Sequence, residues 1–136
     1  IRVINEMIKS RDFWMPFTPS ILDTDEKRYI ENPKKIKAPY MCITFRATEL
    51  AKTDLAAAIH PYDFTVRPQI VYREWNPQYY DLIAEFKKLT GIGGILNTSF
   101  NLHGEPNVCT IDDAVRTLKN SGLRYLAVGD YLISKK

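Results

Sequence analysis

The segment that most constrains the fold of this chain is a polar loop between an apolar run and a capped helix start. The apolar run 93–96 predicts a buried strand, and Thr110 followed three residues later by Asp113 predicts the first turn of a helix. Between them, residues 97–106 read NTSFNLHGEP. In α/β folds, ligands bind where a strand ends and a loop leads into a helix. The loop is therefore a candidate ligand site, with an Asn/Ser-rich structural turn as the alternative.

The side chains of this loop suit hydrogen bonding. Thr98 and Ser99 offer small hydroxyl groups and Asn101 offers a carboxamide, and no charged side chain precedes Glu105. This composition favours contacts with an anionic or planar ligand. We therefore interpret Thr98, Ser99 and Asn101 as candidate binding residues.

Three cations elsewhere in the chain are candidates for holding phosphate. Lys9 and Arg11 lie at the end of a predicted helix, where positive charge also favours the helix dipole. A lysine supplies a compact charge and an arginine a forked donor, and both suit a phosphate group. Arg67 shares one face of a predicted strand with Thr65 and Gln69, and this polar face is either solvated or lines a cleft.

The remaining pattern alternates helices and strands and predicts an α/β or α+β fold with one central sheet. A strand, a helix and a strand near the C-terminus indicate a right-handed crossover and an at least partly parallel sheet. The predicted helices cover residues 1–9, 24–31, 77–91 and 110–122, and the predicted strands cover 17–22, 40–45, 56–60, 65–72, 93–97 and, as a strand or hairpin, 125–133.

Length and charge limit the class of protein. The 136 residues are enough for one domain with a hydrophobic core. A net charge of +3 is too small to favour a nucleic-acid-binding protein. The chain has no run of about 18 apolar residues and no signal-peptide pattern. We therefore expect no membrane span and a cytoplasmic location.

Several kinds of site are excluded by missing motifs. The chain has no GxxxxGK[ST] loop, which excludes a P-loop NTPase. No Ser-His-Asp or Cys-His arrangement is indicated, so we expect no side-chain nucleophile. Cys42 and Cys109 lack CxxC spacing, and we expect two buried thiols rather than a disulfide or a zinc site.

Three segments together resemble the C-terminal domain of the O-carbamoyltransferases of the nodulation and antibiotic-tailoring type. The resemblance covers nearly the whole chain in the family's order, and its most specific element is the NTSFN motif with the following GEP and helix. The segments are RVIN (2–5) through IKSR (8–11) to PFTPS (16–20), HPYD (60–63) with RPQIV (67–71), and LNTSFN (96–101) through GEP (104–106) to DDA (112–114) and GDY (129–131).

The resemblance implies a YrdC-like fold, which is a twisted open mixed α/β sheet with flanking helices and a basic concave face. In that face, carbamoyl phosphate and ATP, expected with Mg²⁺, would give carbamoyl adenylate and pyrophosphate. Lys9 and Arg11 match the family's KxR element, which binds phosphate groups. Ser99 and Asn101 match its SxN element, which contacts ATP or the carbamoyl moiety. Arg67 matches an arginine expected to contact carbamoyl phosphate.

Further partners follow from the same resemblance. A separate N-terminal metal-binding domain, the expected holder of iron, would pass the carbamoyl group to a substrate hydroxyl. The sequence contains neither that domain nor the segment with which the family's C-terminal domain usually begins. We therefore expect residues 1–136 to be a single, N-terminally truncated domain from a longer protein.

One residue departs from the family pattern. Met15 stands where the family usually carries a second arginine, which implies weaker phosphate binding or a changed acceptor.

One alternative function stays open. It is a non-catalytic YrdC-like module that binds a nucleotide or double-stranded RNA, although the small net charge does not favour nucleic acid.

Overall fold

The computed structural model of the chain describes residues 2–9 and 16–135. Its backbone divides into two units, one formed by Pro16–Thr98 and the other by Ile1–Met15 together with Ser99–Lys136. Both units contain helices and open sheets, so the predicted mixed α/β class is confirmed. Within the described ranges, no helix combines the length and the apolar character that crossing a membrane requires.

The elements follow one another in a simple order along the chain. The strands are β1 (Thr18–Leu22), β2 (Ile30–Glu31), β3 (Phe45–Ala47), β4 (Thr65–Val66), β5 (Gln69–Val71), β6 (Gly94–Asn97), β7 (Tyr125–Val128) and β8 (Tyr131–Ser134). The α-helices are α1 (Arg2–Ile4), α2 (Glu26–Tyr29), α3 (Glu49–Asp54), α4 (Pro77–Thr90) and α5 (Ile111–Lys119), with a π-helical turn at Asn5–Lys9 and 3₁₀ turns at Asp23–Asp25 and Ala56–Ala58.

A mixed sheet forms the centre of the unit Pro16–Thr98. β1 lies between β5, which runs parallel to it, and β6, which runs antiparallel to it. Successive side chains of β1 point to opposite faces, and both Ile21 and Leu22 are buried. A strand that is apolar on both faces needs a packing layer on each side.

Helix α4 supplies the layer on one face of this sheet. Leu22 and Val71 pack there with Ile83 of α4, whose side chain is fully buried. The helix begins at Asn76, whose side chain accepts a hydrogen bond from the Tyr79 amide at 3.3 Å. Pro77 in the first turn and Gly91 after the last turn predict these bounds from the sequence, and the structure confirms them.

The opposite face of the sheet contributes to the larger core of this unit. Ile21 and Ile70 pack there in one cluster with Tyr29 of α2 and Phe45 of β3. A second sheet, antiparallel and in the order β2-β3-β4, lies in the same unit. Burial of large apolar side chains of this kind stabilises each by about 1.5–3 kcal/mol relative to exposure.

Three predicted strands of this unit differ in the structure. Residues 40–44 are not part of a strand; Met41 has a left-handed backbone with φ 57°, and the strand begins only at Phe45. Ala56–Ala58 form a 3₁₀ turn instead of the predicted strand over 56–60. The predicted strand 65–72 is split at Pro68, whose missing N–H cannot join a ladder, so β4 and β5 pair in different sheets.

The unit formed by the chain ends packs helix α5 on the hairpin β7–β8. Leu118 of α5 and Leu126 of β7 lie in its buried core. Thr110 and Asp113 form a complete capping box at the start of α5, as predicted. The predicted parallel crossover is wrong, because β7 pairs antiparallel with β8 while β6 pairs antiparallel with β1. The single central sheet is likewise replaced by three smaller sheets.

The cysteines also differ from the prediction. Cys42 and Cys109 are both free thiols, as expected, but both are exposed rather than buried. Cys42 lies in the stretch after Met41 that is not a strand, so its side chain is not drawn into the core. The Cys42 thiol donates to the Tyr40 carbonyl oxygen, with Sγ 3.2 Å from that oxygen.

The buried carboxylate of Asp25 links the 3₁₀ turn Asp23–Asp25 to α4 and α2. The Asp25 side chain is 1% exposed and accepts hydrogen bonds from Lys87 Nζ at 2.7 Å and Arg28 Nη1 at 2.8 Å. Gly93 leaves room for it, since a Cβ there would lie 2.4 Å from Asp25 Cγ. Burial raises the pKa of the Asp25 carboxyl, but the Lys87 and Arg28 hydrogen bonds outweigh burial and the pKa is lowered.

The substitution Asp25→Asn is therefore expected to destabilise the chain in a pH-dependent way. A lowered pKa means that ionised Asp25 stabilises the fold above its unfolded-chain pKa, and that this contribution is lost as the pH falls through the folded-state pKa. We expect a loss of about 2 kcal/mol in the free energy of unfolding near neutral pH. The loss should shrink below about pH 4. Urea denaturation across this range measures it, with exposed Asp23→Asn as the control. A penalty that is independent of pH would contradict the expectation.

Candidate ligand-binding site

The structure brings together three residues of the predicted site. Lys9 ends the π-helical turn, and Ser99 and Asn101 lie in the loop that follows β6. All three belong to the unit formed by the chain ends, although 90 residues of sequence separate Lys9 from Ser99. Arg11, the arginine of the KxR element, lies outside the described residues.

The Lys9 ammonium is the centre of this cluster. Its Nζ donates to Ser99 Oγ at 2.9 Å, to Asn101 Oδ1 at 2.5 Å and to the Asn101 carbonyl oxygen at 3.4 Å, and it also bonds the Ser99 carbonyl oxygen. The Lys9 residue is only 5% exposed. Because a buried ammonium must replace its lost water with hydrogen-bond acceptors, Lys9 fixes the course of the loop.

Hydrogen bonds inside the loop complete its shape. Ser99 Oγ donates to Asn101 Oδ1 at 2.8 Å, and Asn101 Nδ2 donates to the Glu105 carbonyl oxygen at 2.6 Å. Gly104 has φ 84°, a backbone conformation that glycine adopts without strain. Side chains therefore hold this segment in place where helix or strand pairing does not.

The geometry of the cluster favours binding over nucleophilic attack. Ser99 is exposed, and its hydroxyl accepts a hydrogen bond from the buried Lys9 ammonium. A positive charge therefore lies next to an exposed serine. A serine nucleophile needs a neighbouring base to take its proton. Lys9 as an ammonium donates to Ser99 Oγ and has no lone pair to accept that proton.

The downstream end of the loop is anchored by the start of α5. Thr110 Oγ1 accepts from the Asp113 amide at 3.1 Å, and Asp113 Oδ2 accepts from the Thr110 amide at 3.1 Å. Hydrogen bonds from the Thr110 hydroxyl, and then from the Thr110 and Cys109 amides, lower the pKa of the Asp113 carboxyl. The predicted capping signal thus limits the mobility of the loop at this end.

Arg67 and Thr98 lie in the unit Pro16–Thr98. The Arg67 side chain is exposed between β4 and β5, and it makes no hydrogen bond or ion pair with any residue that the structure describes. Thr98 is exposed directly after β6. Arg67 thus presents a forked donor that is available to an anion.

Sequence reasoning missed a polar network inside this unit. Ser20 of β1 is fully buried, and its hydroxyl accepts from Asn97 Nδ2 and Tyr79 Oη, each at 2.9 Å. Ser20 Oγ in turn donates to Gln69 Oε1 at 2.9 Å, and Asn97 Nδ2 also donates to that oxygen at 2.9 Å. The period-2 alternation places Ser20, Gln69 and Asn97 on one sheet face, which is a signal that could have revealed the network.

The described residues do not fit an iron site. Nowhere in ranges 2–9 and 16–135 do three His, Cys, Asp or Glu side chains lie close enough together to hold a metal ion. His60 Nδ1 lies 3.2 Å from Asp63 Oδ1, but that pair lacks further ligands among the residues described. We therefore assign no catalytic role to a metal ion held by these residues.

The substitution Lys9→Met is expected to loosen the loop around Ser99 and Asn101. Methionine keeps the length of the side chain but donates no hydrogen bond, so several loop oxygens lose their partner, at a cost of about 1–3 kcal/mol. Faster amide hydrogen exchange over residues 99–105, measured by mass spectrometry, would report the change. Exposed Lys88→Met in α4 is the matched control. Equal exchange in the two variants would contradict the role given to Lys9.

Comparison with known proteins identifies the family. Residues 1–135 match the protein family described as Carbamoyltransferase C-terminus. The chain is 40% identical over 134 residues to nodulation protein NolO of Bradyrhizobium diazoefficiens, which covers 98% of this chain and 24% of that protein. It is 39% identical over 134 residues to nodulation protein NolNO of Sinorhizobium fredii, which covers 98% of this chain and 20% of that protein.

A third relative, whose name states an enzyme activity, has a lower sequence identity to this chain. The chain is 31% identical over 127 residues to the 3'-hydroxymethylcephem-O-carbamoyltransferase of Amycolatopsis lactamdurans, which covers 93% of this chain and 23% of that protein. The chain spans about a fifth to a quarter of the length of the curated relatives it matches. By the match over nearly its whole length, the chain belongs to the family of carbamoyltransferase C-terminal domains.

Proposed function

We propose that this chain is the carbamoyl-adenylate-forming part of an O-carbamoyltransferase. It would bind carbamoyl phosphate and ATP so that a carbamoyl group can pass to a substrate hydroxyl. The observation that carries the proposal is the Lys9 ammonium held against Ser99 and Asn101 in the NTSFN loop. The relative named as a cephem O-carbamoyltransferase supports the same class of reaction.

The reaction needs positioning and charge compensation more than covalent help. Water would cleave carbamoyl phosphate to carbamate and inorganic phosphate. A carbamate oxygen would then attack the α-phosphorus of ATP, the bond between that phosphorus and the bridging oxygen to the β-phosphate would break, and pyrophosphate would leave. The reactants are polyanions, so aligned donors and nearby cations lower the barrier to their approach.

The residues of this chain have distinct roles in the proposal. Ser99 and Asn101 orient a phosphate or carbamoyl oxygen, with Lys9 and Arg11 supplying positive charge to the phosphate groups. Thr98 adds a hydroxyl at the end of β6, and Arg67 contacts carbamoyl phosphate through its free guanidinium. None of these groups attacks the substrate.

Two further components complete the proposed cycle. Mg²⁺ would be held by the phosphate oxygens of ATP, since it usually binds through substrate phosphates with few protein ligands. A metal-binding domain N-terminal to these residues would supply the acceptor site. There the acceptor oxygen would attack the carbamoyl carbon and release AMP.

Exchange of labelled pyrophosphate into ATP, dependent on carbamoyl phosphate, tests the proposal in the full-length protein. Ser99→Ala and Asn101→Ala are expected to lower the exchange rate about tenfold to a hundredfold, because each removes a group aligned with the reacting charge. Ser134→Ala and Asn107→Ala, at exposed positions of the same unit, are the matched controls. Absence of exchange in the unmodified protein, together with salt-sensitive binding of duplex RNA, would favour the nucleic-acid module instead.

The substitution Arg67→Ala is expected to raise the KM for carbamoyl phosphate about tenfold or more, because a charge-assisted hydrogen bond is lost. The KM for ATP should change little. Initial-rate measurements with each substrate varied in turn separate the two effects. Arg73→Ala, another exposed arginine of the same unit, is the control. An unchanged KM for carbamoyl phosphate would remove Arg67 from the site.

A further inference from the structure

A pocket of about 210 Å³ lies beside the outer edge of β5, apart from the residues used above. Its lining includes Tyr40, Gln69, Tyr72, Trp75 and Asn76, all within the unit Pro16–Thr98. We propose that this pocket binds a planar heterocyclic ring that carries hydrogen-bond acceptors on its edge. Neither the family match nor the relatives assign a ligand to these residues.

Aromatic rings form the walls of this pocket. Tyr72 and Trp75 have ring centroids 4.9 Å apart with their planes inclined by 51°. Lys37 Nζ lies 5.2 Å from the Tyr72 centroid and 4.8 Å from the Trp75 centroid, which holds the two rings in a cation–π contact. Trp75 is 51% exposed and Tyr40 is 74% exposed, so both rings offer a face for stacking.

The backbone fixes the position of these walls. The Ile70 amide donates to the Ala38 carbonyl oxygen at 2.8 Å, which attaches the segment before Tyr40 to the outer edge of β5. The Trp75 and Asn76 amides both donate to the Tyr72 carbonyl oxygen at 3.1 Å, which forms the turn that leads into α4. A pocket with such supports is preformed, which lowers the entropic cost of binding.

Two amide side chains, Gln69 and Asn76, line the pocket, and hydrogen bonds to their oxygens fix their orientation. Gln69 Oε1 is occupied by Ser20 Oγ and Asn97 Nδ2, each at 2.9 Å. Asn76 Oδ1 is occupied by the Tyr79 amide at 3.3 Å. The Gln69 and Asn76 NH₂ groups have no hydrogen-bond partner among the described residues, so both remain available as donors.

This chemistry selects the class of ligand. The volume is below the about 300–1,000 Å³ typical of sites for whole drug-sized molecules, so the pocket suits a single ring system. Flat aromatic walls favour a planar ring. The free amide donors favour ring nitrogens or carbonyl oxygens, whereas the hydroxyl groups of a sugar also require acceptors. The adenine base of ATP meets these conditions, so the identity of the ligand rests on the proposed function.

Binding measurements without turnover test the inference separately from the reaction. Within residues 1–136, Trp14→Phe leaves Trp75 as the remaining tryptophan, and the part of the fluorescence change that Trp75→Leu removes reports ligand stacking. We expect saturable quenching by adenosine, whose base is the planar ring that the pocket would take. Methyl glucoside, a saturated ring, should bind at least about tenfold more weakly.

Two substitutions and their controls link binding to the pocket. Gln69→Glu keeps the oxygen that accepts from Ser20 and Asn97 but removes the NH₂ donor, and should weaken binding about tenfold. Trp75→Leu should weaken it by a similar factor, measured by equilibrium dialysis. Exposed Gln78→Glu and Tyr62→Leu should leave the affinity unchanged.

Three results would overturn the inference. They are the absence of adenosine binding, equal binding of adenosine and methyl glucoside, and equal affinity of the Gln69→Glu and Gln78→Glu variants for adenosine. If Trp14→Phe impairs folding, equilibrium dialysis of the unmodified protein gives the same comparison of probes. Adenosine carries no phosphate, so its binding is independent of whether carbamoyl adenylate is formed.

Discussion

The buried hydroxyl of Ser20 is the constraint on which the unit Pro16–Thr98 depends. β1 is covered on both faces, so a polar atom within it must find partners inside the protein. It finds them in Gln69 of β5, Asn97 of β6 and Tyr79 of α4. One hydroxyl thereby orders two neighbouring strands and a helix. The same network orients the Gln69 amide at the proposed ring pocket and holds Asn97 at the start of the NTSFN loop.

A buried charge has the corresponding role in the other unit. The Lys9 ammonium lost its water on folding, and the loop oxygens of Ser99 and Asn101 replace it. In both units, satisfying a buried polar group also fixes a side chain that is not buried, namely exposed Ser99 and half-buried Gln69. Binding surfaces of this kind need little rearrangement when a ligand arrives.

The sequence predicted the elements whose signals are local. Asn76, Pro77 and Gly91 bound α4, and the capping box bounds α5, because caps act within one turn of helix. The strand over 40–45 failed because β-forming residues do not reveal the left-handed backbone of Met41. The strand over 65–72 failed at Pro68, where the chain passes from one sheet to another. Pairing partners lie far apart in sequence, and periodicity alone does not identify them.

By itself, the sequence determined the family, the mixed α/β class and the polar loop with its capped helix, since these depend on residue identity and short spacing. Only the tertiary structure decided that Lys9 reaches Ser99 and Asn101, that three small sheets replace one, and that Gln69 lines one pocket with Tyr72 and Trp75. The physical reason is that buried polar groups must be satisfied in three dimensions. The partners of a buried polar group depend on how distant segments pack, and a local sequence pattern does not predict them.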